Sequence, residues 1–325
     1  MNRRINIILI SCLVFCLAAC SREEATPCRL VPLYRAAAQW PRTPAAARDS
    51  ILHADSAELR AMFAVSGIHA PLDSAMDMWS RSMAVRVFTP ATDSVFPTLT
   101  PVSESLGIIL ANAADAGIDF PKRRYAAVVW GNMKSIVFAD STMLIALNHY
   151  LGADYPGYAG RWPDYMRTTK TPAHLPYDIA EALVAVRYPF VESEQATVLS
   201  HLLYEGAIVK AVLTLVPDAT LAEALGWTDD QLKWAEENSQ NLWRVAVGRR
   251  LLYDTSRATA SRLLDPAPST SVLSPEAPGR TGRFIGYSII CAYIEAHGKV
   301  DLPDLLSPEF YNNQSVLIES GYTGN

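Results

Sequence analysis

The chain is poor in the features that most directly announce a function. It has no His-Glu-x-x-His, so the usual zinc-hydrolase helix is missing, and no Gly-x-Ser-x-Gly, so no nucleophile elbow is present. Blocks of Lys and Arg are also absent, which argues against nucleic acid as a partner. Internal repeats and low-complexity tracts are not seen, so repeat architectures drop out. Only 19% of residues are charged while 50% are hydrophobic, a globular composition and not a disordered one. Of five cysteines, three (Cys12, Cys16 and Cys20) fall in the first 20 residues. Cys28 and Cys291 remain, and Cys291 lies within an apolar helical pattern, so two unpaired thiols are expected in preference to a bridge.

What is present begins with an export signal. Arg3 and Arg4 precede an apolar run, Ile5 to Leu17, that is too short to span a bilayer. Leu17-Ala18-Ala19-Cys20 then resembles a bacterial lipobox, with residues 1–19 removed and Cys20 lipidated. A diacylglycerol plus an N-acyl chain supplies the two or more tails that stable anchoring requires. Loss of Arg3 and Arg4 leaves 26 basic against 33 acidic residues, a net charge of −7. Ser21-Arg22-Glu23-Glu24 reads either as a solvated tether or as an acidic surface-export signal. Residues 20–43, interrupted by Pro27, Pro32 and Pro41, are expected to form a tether ahead of one domain over 44–325.

The expected fold is mainly α (α+β). Helices are predicted over 44–67, over 71–87 with a stop before Pro90, and over 103–116. The β-rich stretch Tyr125–Trp130, a turn at Gly131-Asn132, a return strand Lys134–Ala139 and a third strand Met143–Leu147 predict a small sheet around 124–147. A loop at 153–171 holds many aromatics and prolines. It reads as a partner surface or as a segment pinned by its own rings. Beyond it come a helix from Pro172 with Pro176 in its first turn, and a capping box at Thr228-Asp229-Asp230-Gln231 opening a helix toward Tyr253. The glycines of Gly279-Arg280-Thr281-Gly282-Arg283-Phe284-Ile285-Gly286 suggest close helix packing ahead of a last major helix, Ile289–Ala296.

The central feature is Ala196–Val216, apolar around most of its circumference, as a helix buried on several sides must be. Thr197, His201 and Glu205 recur every fourth residue and fall on one stripe, and Gly206 follows. His174 and Asp178 form a second pair four residues apart. If the two helices face each other, His174, Asp178, His201 and Glu205 offer a candidate ligand set for zinc. The alternative is a buried hydrogen-bond network.

Several stretches together resemble the gliding-motility lipoprotein B (GldB-like) family of Bacteroidetes. They include Asn148-His149-Tyr150-Leu151-Gly152-Ala153-Asp154-Tyr155-Pro156-Gly157-Tyr158, Leu203-Tyr204-Glu205-Gly206, Leu232-Lys233-Trp234-Ala235-Glu236-Glu237-Asn238 and Ser274-Pro275-Glu276-Ala277-Pro278-Gly279-Arg280. Asn148 departs from the Asp expected of that family. The family is in turn similar to zincin-like metallopeptidases, which set a small sheet before a zinc helix and carry a third ligand on a later helix as Glu-Gly. Here the helix in the zinc position reads His174-Leu175-Pro176-Tyr177-Asp178-Ile179-Ala180-Glu181, without the paired histidines or the water-activating glutamate.

The resemblance therefore implies a peptidase scaffold without catalysis and without a cofactor. Such a protein would sit in the cell envelope, anchored to a membrane through lipid on Cys20. It would assist gliding motility or type IX secretion through envelope protein partners. The alternatives are a metal-dependent hydrolase with an unusual ligand set, or a peptide- or glycan-binding module at the relic cleft.

Overall fold

The computed structural model describes residues 28–194 and 196–324; the signal peptide, Cys20 and the segment to Pro27 lie outside the described residues. The chain opens with β1 (Leu30–Pro32) and α1 (Leu33–Gln39), followed by α2 (Ala45–Ala54), α3 (Ser56–Val65), α4 (Leu72–Ser80), α5 (Met83–Val95) and α6 (Thr100–Asp115). Next come β2 (Arg124–Val128), β3 (Ile136–Ala139) and β4 (Thr142–Ala146), then α7 (Asp164–Arg167), α8 (Leu175–Arg187) and α9 (Val198–Leu215). The remainder is helical: α10 (Leu221–Leu225), α11 (Asp229–Glu237), α12 (Ser239–Gly248), α13 (Arg257–Leu264), α14 (Thr281–His297), α15 (Leu302–Leu305), α16 (Pro308–Tyr311) and α17 (Ser315–Ser320). The fold is thus mainly α with one small mixed sheet.

The N-terminal boundary needs correction, because residues 30–42 are folded and not a tether. β1 joins the sheet in parallel with β2, Val31 opposite Ala126, and Trp40 is fully buried with its indole N–H donating to Asp77 at 2.8 Å. The prolines that suggested a tether are harmless where they stand. Pro32 ends an edge strand and Pro41 lies in the first turn of a 3₁₀ helix, positions that need no backbone donor. Likewise Pro90 does not stop its helix but lies inside α5, and its ring side is exposed.

The sheet order is β1-β2-β4-β3. The expected hairpin across Gly131-Asn132 is absent. β2 instead pairs in parallel with β4, and β3 and β4 form the hairpin, turning at Asp140 with its φ of 49°. The parallel pair β2 and β4 is buried apart from Arg124, as parallel strands covered on both faces are. Asn148 explains how the irregular chain after β2 is held. Its amide accepts from Trp130 N–H at 3.2 Å and donates to Trp130 C=O at 3.0 Å, replacing a strand partner. A carboxylate at this position has no proton to donate.

α9 is the axis of the helical part. By length and composition it could cross a membrane, but 72% of it is buried inside the protein. Thr197 is its N-cap, not part of a helical stripe, and the Ser200 hydroxyl accepts from the Thr197 N–H at 3.2 Å. α14 crosses α9 backbone to backbone. A Cβ on Gly286 would stand 1.8 Å from Leu202 C=O, and one on Gly206 would stand 2.2 Å from the Gly286 carbonyl carbon. The cost of placing Gly206 in a helix, ~1 kcal/mol, is offset by this approach. α14 also begins two turns before the expected Ile289, at Thr281, which moves Arg283 into the core.

The long helix expected after Thr228 is broken at Asn238 into α11 and α12, although its capping box is formed. The aromatic loop is pinned by its own rings. Tyr158 and Trp162 are buried edge to face at 4.8 Å, and the Tyr158 hydroxyl bridges Leu151 N–H and Asn148 C=O. Cys28 and Cys291 are both unpaired.

Gly286→Ala drives a methyl into fixed backbone and is expected to destabilise the protein by about 3 kcal/mol or more. Gly248→Ala, at an open exposed helix position, is expected to gain about 0.5 kcal/mol. Urea unfolding of the two variants checks both signs.

Candidate functional site

The helix crossing places α8, α9 and the first turn of α14 around a group of charged side chains. Apolar periodicity keeps one face of each helix in the core, and the polar exceptions meet there. Asp178 and Glu181 lie three residues apart on α8, Glu205 comes from α9, and Arg280 and Arg283 from the start of α14. Arg283 is 0% exposed. Its Nη2 donates to Glu181 Oε2 at 2.9 Å and its Nε lies 3.1 Å from Glu205 Oε2. Arg280, held in the left-handed region at φ 65°, adds a longer contact to Glu181 at 3.5 Å. A guanidinium thus sits between the two glutamates.

The second half of the site surrounds Asp178. Tyr150 donates to Asp178 Oδ2 at 2.7 Å, His174 Nε2 is 3.4 Å from Oδ1, and Lys170 Nζ is 4.0 Å from Oδ2. Lys170 also donates to Ser135 Oγ at 3.0 Å, and that hydroxyl lies 3.2 Å from His149 Nδ1. Counting Asp178, Glu181 and Glu205 against Lys170, Arg280 and Arg283, the cluster balances three negative with three positive charges.

Burial and pairing compete at each carboxylate. Burial pushes Asp178 up, but the hydrogen bond and charge of His174, with Lys170 and Tyr150, outweigh it and hold Asp178 at about 2. At Glu181 burial is again opposed, and Arg283 and Arg280 win, so its pKa is lowered. At Glu205 burial prevails despite Arg283, helped by the neighbouring charge of Glu181, so its pKa is raised. His149 is pushed down to about 3 by burial and by Lys170 and Arg161, which keeps it a neutral ring at physiological pH.

The four sequence-predicted ligands are not brought together. His174 and Asp178 do face each other, and Glu205 reaches the same cluster through Arg283 and Glu181. His201 points elsewhere: it stacks on Phe190 with ring centroids 4.2 Å apart, lies 4.0 Å from Glu192, and has its pKa lowered by burial. Among the described residues no three His, Cys, Asp or Glu side chains converge as a metal would require. A fixed cation, Arg283, lies between Glu181 and Glu205, and His201 stands apart from both.

Sequence reading missed Arg283, Glu181, Lys170 and Tyr150. A signal for the first was available: Arg280 and Arg283 are spaced to share a helix face beside two glycines. Only the later-than-actual start assigned to α14 hid it.

On the outer side of the cluster lies a cleft of 240 Å³. Lys170, His174, Asp178 and Arg280 form its polar side, and Met166, Leu225 and Trp227 contribute apolar surface. Tyr165 from the aromatic loop borders it. Arg280 Nε is buried without a hydrogen-bond partner. The cleft offers donors, a few apolar walls and bound carboxylates, an arrangement suited to holding a chain or polar group.

These observations define a class: a mainly helical α+β domain with a small mixed sheet, whose central polar site is a carboxylate–guanidinium cluster. A family model described as gliding motility protein GldB matches residues 62–324. The chain belongs to this gliding motility protein GldB family, a lipoprotein family of the cell envelope. No curated protein and no solved structure matches it.

Two substitutions separate the glutamates. Glu181, with its pKa lowered, is stabilised as the anion, so Glu181→Gln is expected to cost about 1–2 kcal/mol at pH 7. Glu205 has a raised pKa, so its ionised form is penalised at neutral pH, and Glu205→Gln is expected to stay within about 1 kcal/mol of the parent. For Asp178, lowered from 3.8 to about 2, the stabilisation is present above pH 3.8 and is lost as pH falls through about 2. Asp178→Asn should therefore flatten the acid limb of a stability–pH profile between those values, read by denaturant unfolding at each pH.

Proposed function

We propose that this protein is a non-catalytic, lipid-anchored envelope lipoprotein, held by Cys20. In this reading it supports gliding motility or the associated type IX secretion machinery as an interaction or assembly factor. The single observation that carries the non-catalytic reading is Arg283. Hydrolysis by a metallopeptidase scaffold needs a metal to lower the pKa of water and polarise the scissile carbonyl. A guanidinium wedged between Glu181 and Glu205 supplies charge but no open coordination position, and it engages the carboxylates that would otherwise act as ligand or base. Family membership supports the gliding-motility context.

The binding surface in this reading is the cleft beside Arg280 and Lys170. Its donors can meet the carbonyls or carboxylates of an envelope partner's chain, and Trp227, Leu225 and Met166 provide the apolar contact that side chains of such a segment seek. Lipid on Cys20 raises the local concentration of both partners by confining them to one surface.

The test uses the full-length, lipidated protein in its source organism. Glu205→Gln is expected to preserve colony spreading and secretion, because no catalytic carboxylate is lost. Lys170→Ala combined with Arg280→Ala is expected to reduce both at unchanged protein level. Elemental analysis of the purified protein provides the contrary outcome. Stoichiometric zinc that disappears on His174→Ala or Glu205→Ala would overturn the non-catalytic reading.

A further inference from the structure

α5 packs Val85, Phe88, Ala91 and Val95 against the core, but its outer face carries apolar side chains as well. Its buried side carries Val85, Thr89 and Thr92, and the two threonine hydroxyls are buried without partners. Its exposed side carries Met83, Arg86, Val87, Pro90 and Ser94, which fall within ~100° of arc. Met83 is 79% exposed and Val87 52%, and Met78 just before them on α4 is 53% exposed. No acid lies on this α5 face, although the protein as a whole is acidic. Asp93, the one carboxylate of α5, turns toward α1, where it accepts from Arg35 Nε at 2.8 Å and from the Tyr34 hydroxyl at 3.1 Å. Arg81 and Arg86 stand exposed at the same end.

The C-terminal end of α5 leads into an apolar groove. α5 and α6 meet at 76°, and the corner forms one wall of a 280 Å³ groove whose other wall is the start of α8. Phe96, Pro97, Pro101, Val102, Leu175 and Pro176 line it, with no charged residue among its walls. A scattered exposed apolar residue needs no explanation, but a helix face and an adjoining groove of this composition do.

The position of the N-terminal segment says what covers them. The described chain starts at Cys28, which is fastened to the first half of α6: its N–H donates to Ser103 C=O at 3.3 Å, and Ser103 Oγ donates to Cys28 C=O. Val102 and Ser105 of the groove lie within one turn of Ser103. Between Cys28 and Cys20 there are eight residue steps, a span of roughly 29 Å at full extension. A compact chain of this length has a radius of gyration of roughly 20 Å, hence a diameter of about 50 Å. The link is thus too short to let the far side of the protein turn to a membrane that holds Cys20.

We propose that the acid-free outer face of α5, with the groove between the α5–α6 corner and α8, rests on the lipid surface to which Cys20 anchors the chain. This rests on the lipid-anchored reading given above. Met78, Met83 and Val87 enter the headgroup–acyl boundary, Arg81 and Arg86 pair with anionic headgroups, and the groove receives acyl chain.

The experiment takes the full-length lipidated protein in phosphatidylethanolamine–phosphatidylglycerol vesicles containing a phospholipid with a photoactivatable acyl chain, and maps cross-linked peptides by mass. Labelling is expected over 78–105 and not over 247–253 or 315–320, where Val247, Tyr253 and Ile318 are equally exposed apolar residues. Met83→Glu with Val87→Glu, both at exposed positions, is expected to lower labelling of 78–105 at least fivefold without changing the circular dichroism spectrum. A lipidated protein that labels all exposed apolar sites alike, or labels none within 78–105, overturns the proposal. The mass of the N-terminal peptide reads lipidation of Cys20 in the same digest. Labelling over 78–105 on an unlipidated protein would therefore remove the anchor while keeping the face.

Discussion

Three helices meet at Arg283, and their arrangement depends on what that side chain requires. A fully buried guanidinium is tolerable only when its charge is met, and here Glu181 of α8 and Glu205 of α9 meet it together. The two glutamates alone would repel across the helix interface. Arg283 reaches both because α14 can lie directly on α9, and it can do so only because Gly206 and Gly286 carry no side chains. Removing the glycines separates the helices, and removing the arginine leaves two carboxylates in a low-dielectric site. The close crossing and the ion cluster therefore act as one device.

This device also bears on chemistry. A scaffold with carboxylates on two adjacent helices is one step from a metal site, the step being a small doubly charged ion between them. A guanidinium satisfies the same carboxylates with one charge and a fixed fork of donors, and it cannot release or activate a water. Glu205 shows the residual cost, since one arginine shared with Glu181 does not fully offset its burial. Asp178, served by Tyr150, His174 and Lys170, is well satisfied. The half of the cluster beside the cleft is thus rigidly charged, and the half beneath it is under mild electrostatic strain.

Much of the fold is legible in local sequence. The capping box at Thr228, the early proline of α8, the small sheet and the apolar girth of α9 all follow from short-range rules about caps, φ restriction and periodicity. Errors cluster where a residue's role is decided by something distant. Pro32, Pro41 and Pro90 look like breaks, but each occupies a place where its missing donor is not needed or is left to solvent. Gly131-Asn132 has the composition of a hairpin turn, yet β2 prefers β4, because Asn148 satisfies the backbone at Trp130 that a hairpin would have used. At the site, His201 and Glu205 share a helix but not a neighbourhood: Phe190 takes one ring and Arg283 takes the other's carboxylate.

The helix Ala196–Val216 marks the division between what sequence and tertiary structure each decide. Its apolar circumference determined by itself that it would be central. Periodicity and propensity are local quantities, so they are written in the order of residues. Which helix would come close, and that an arginine 78 positions further on would neutralise Glu205, was decided only in three dimensions. Long-range pairing selects among many locally equivalent partners, and the selection is made by packing volume and charge balance in the folded core.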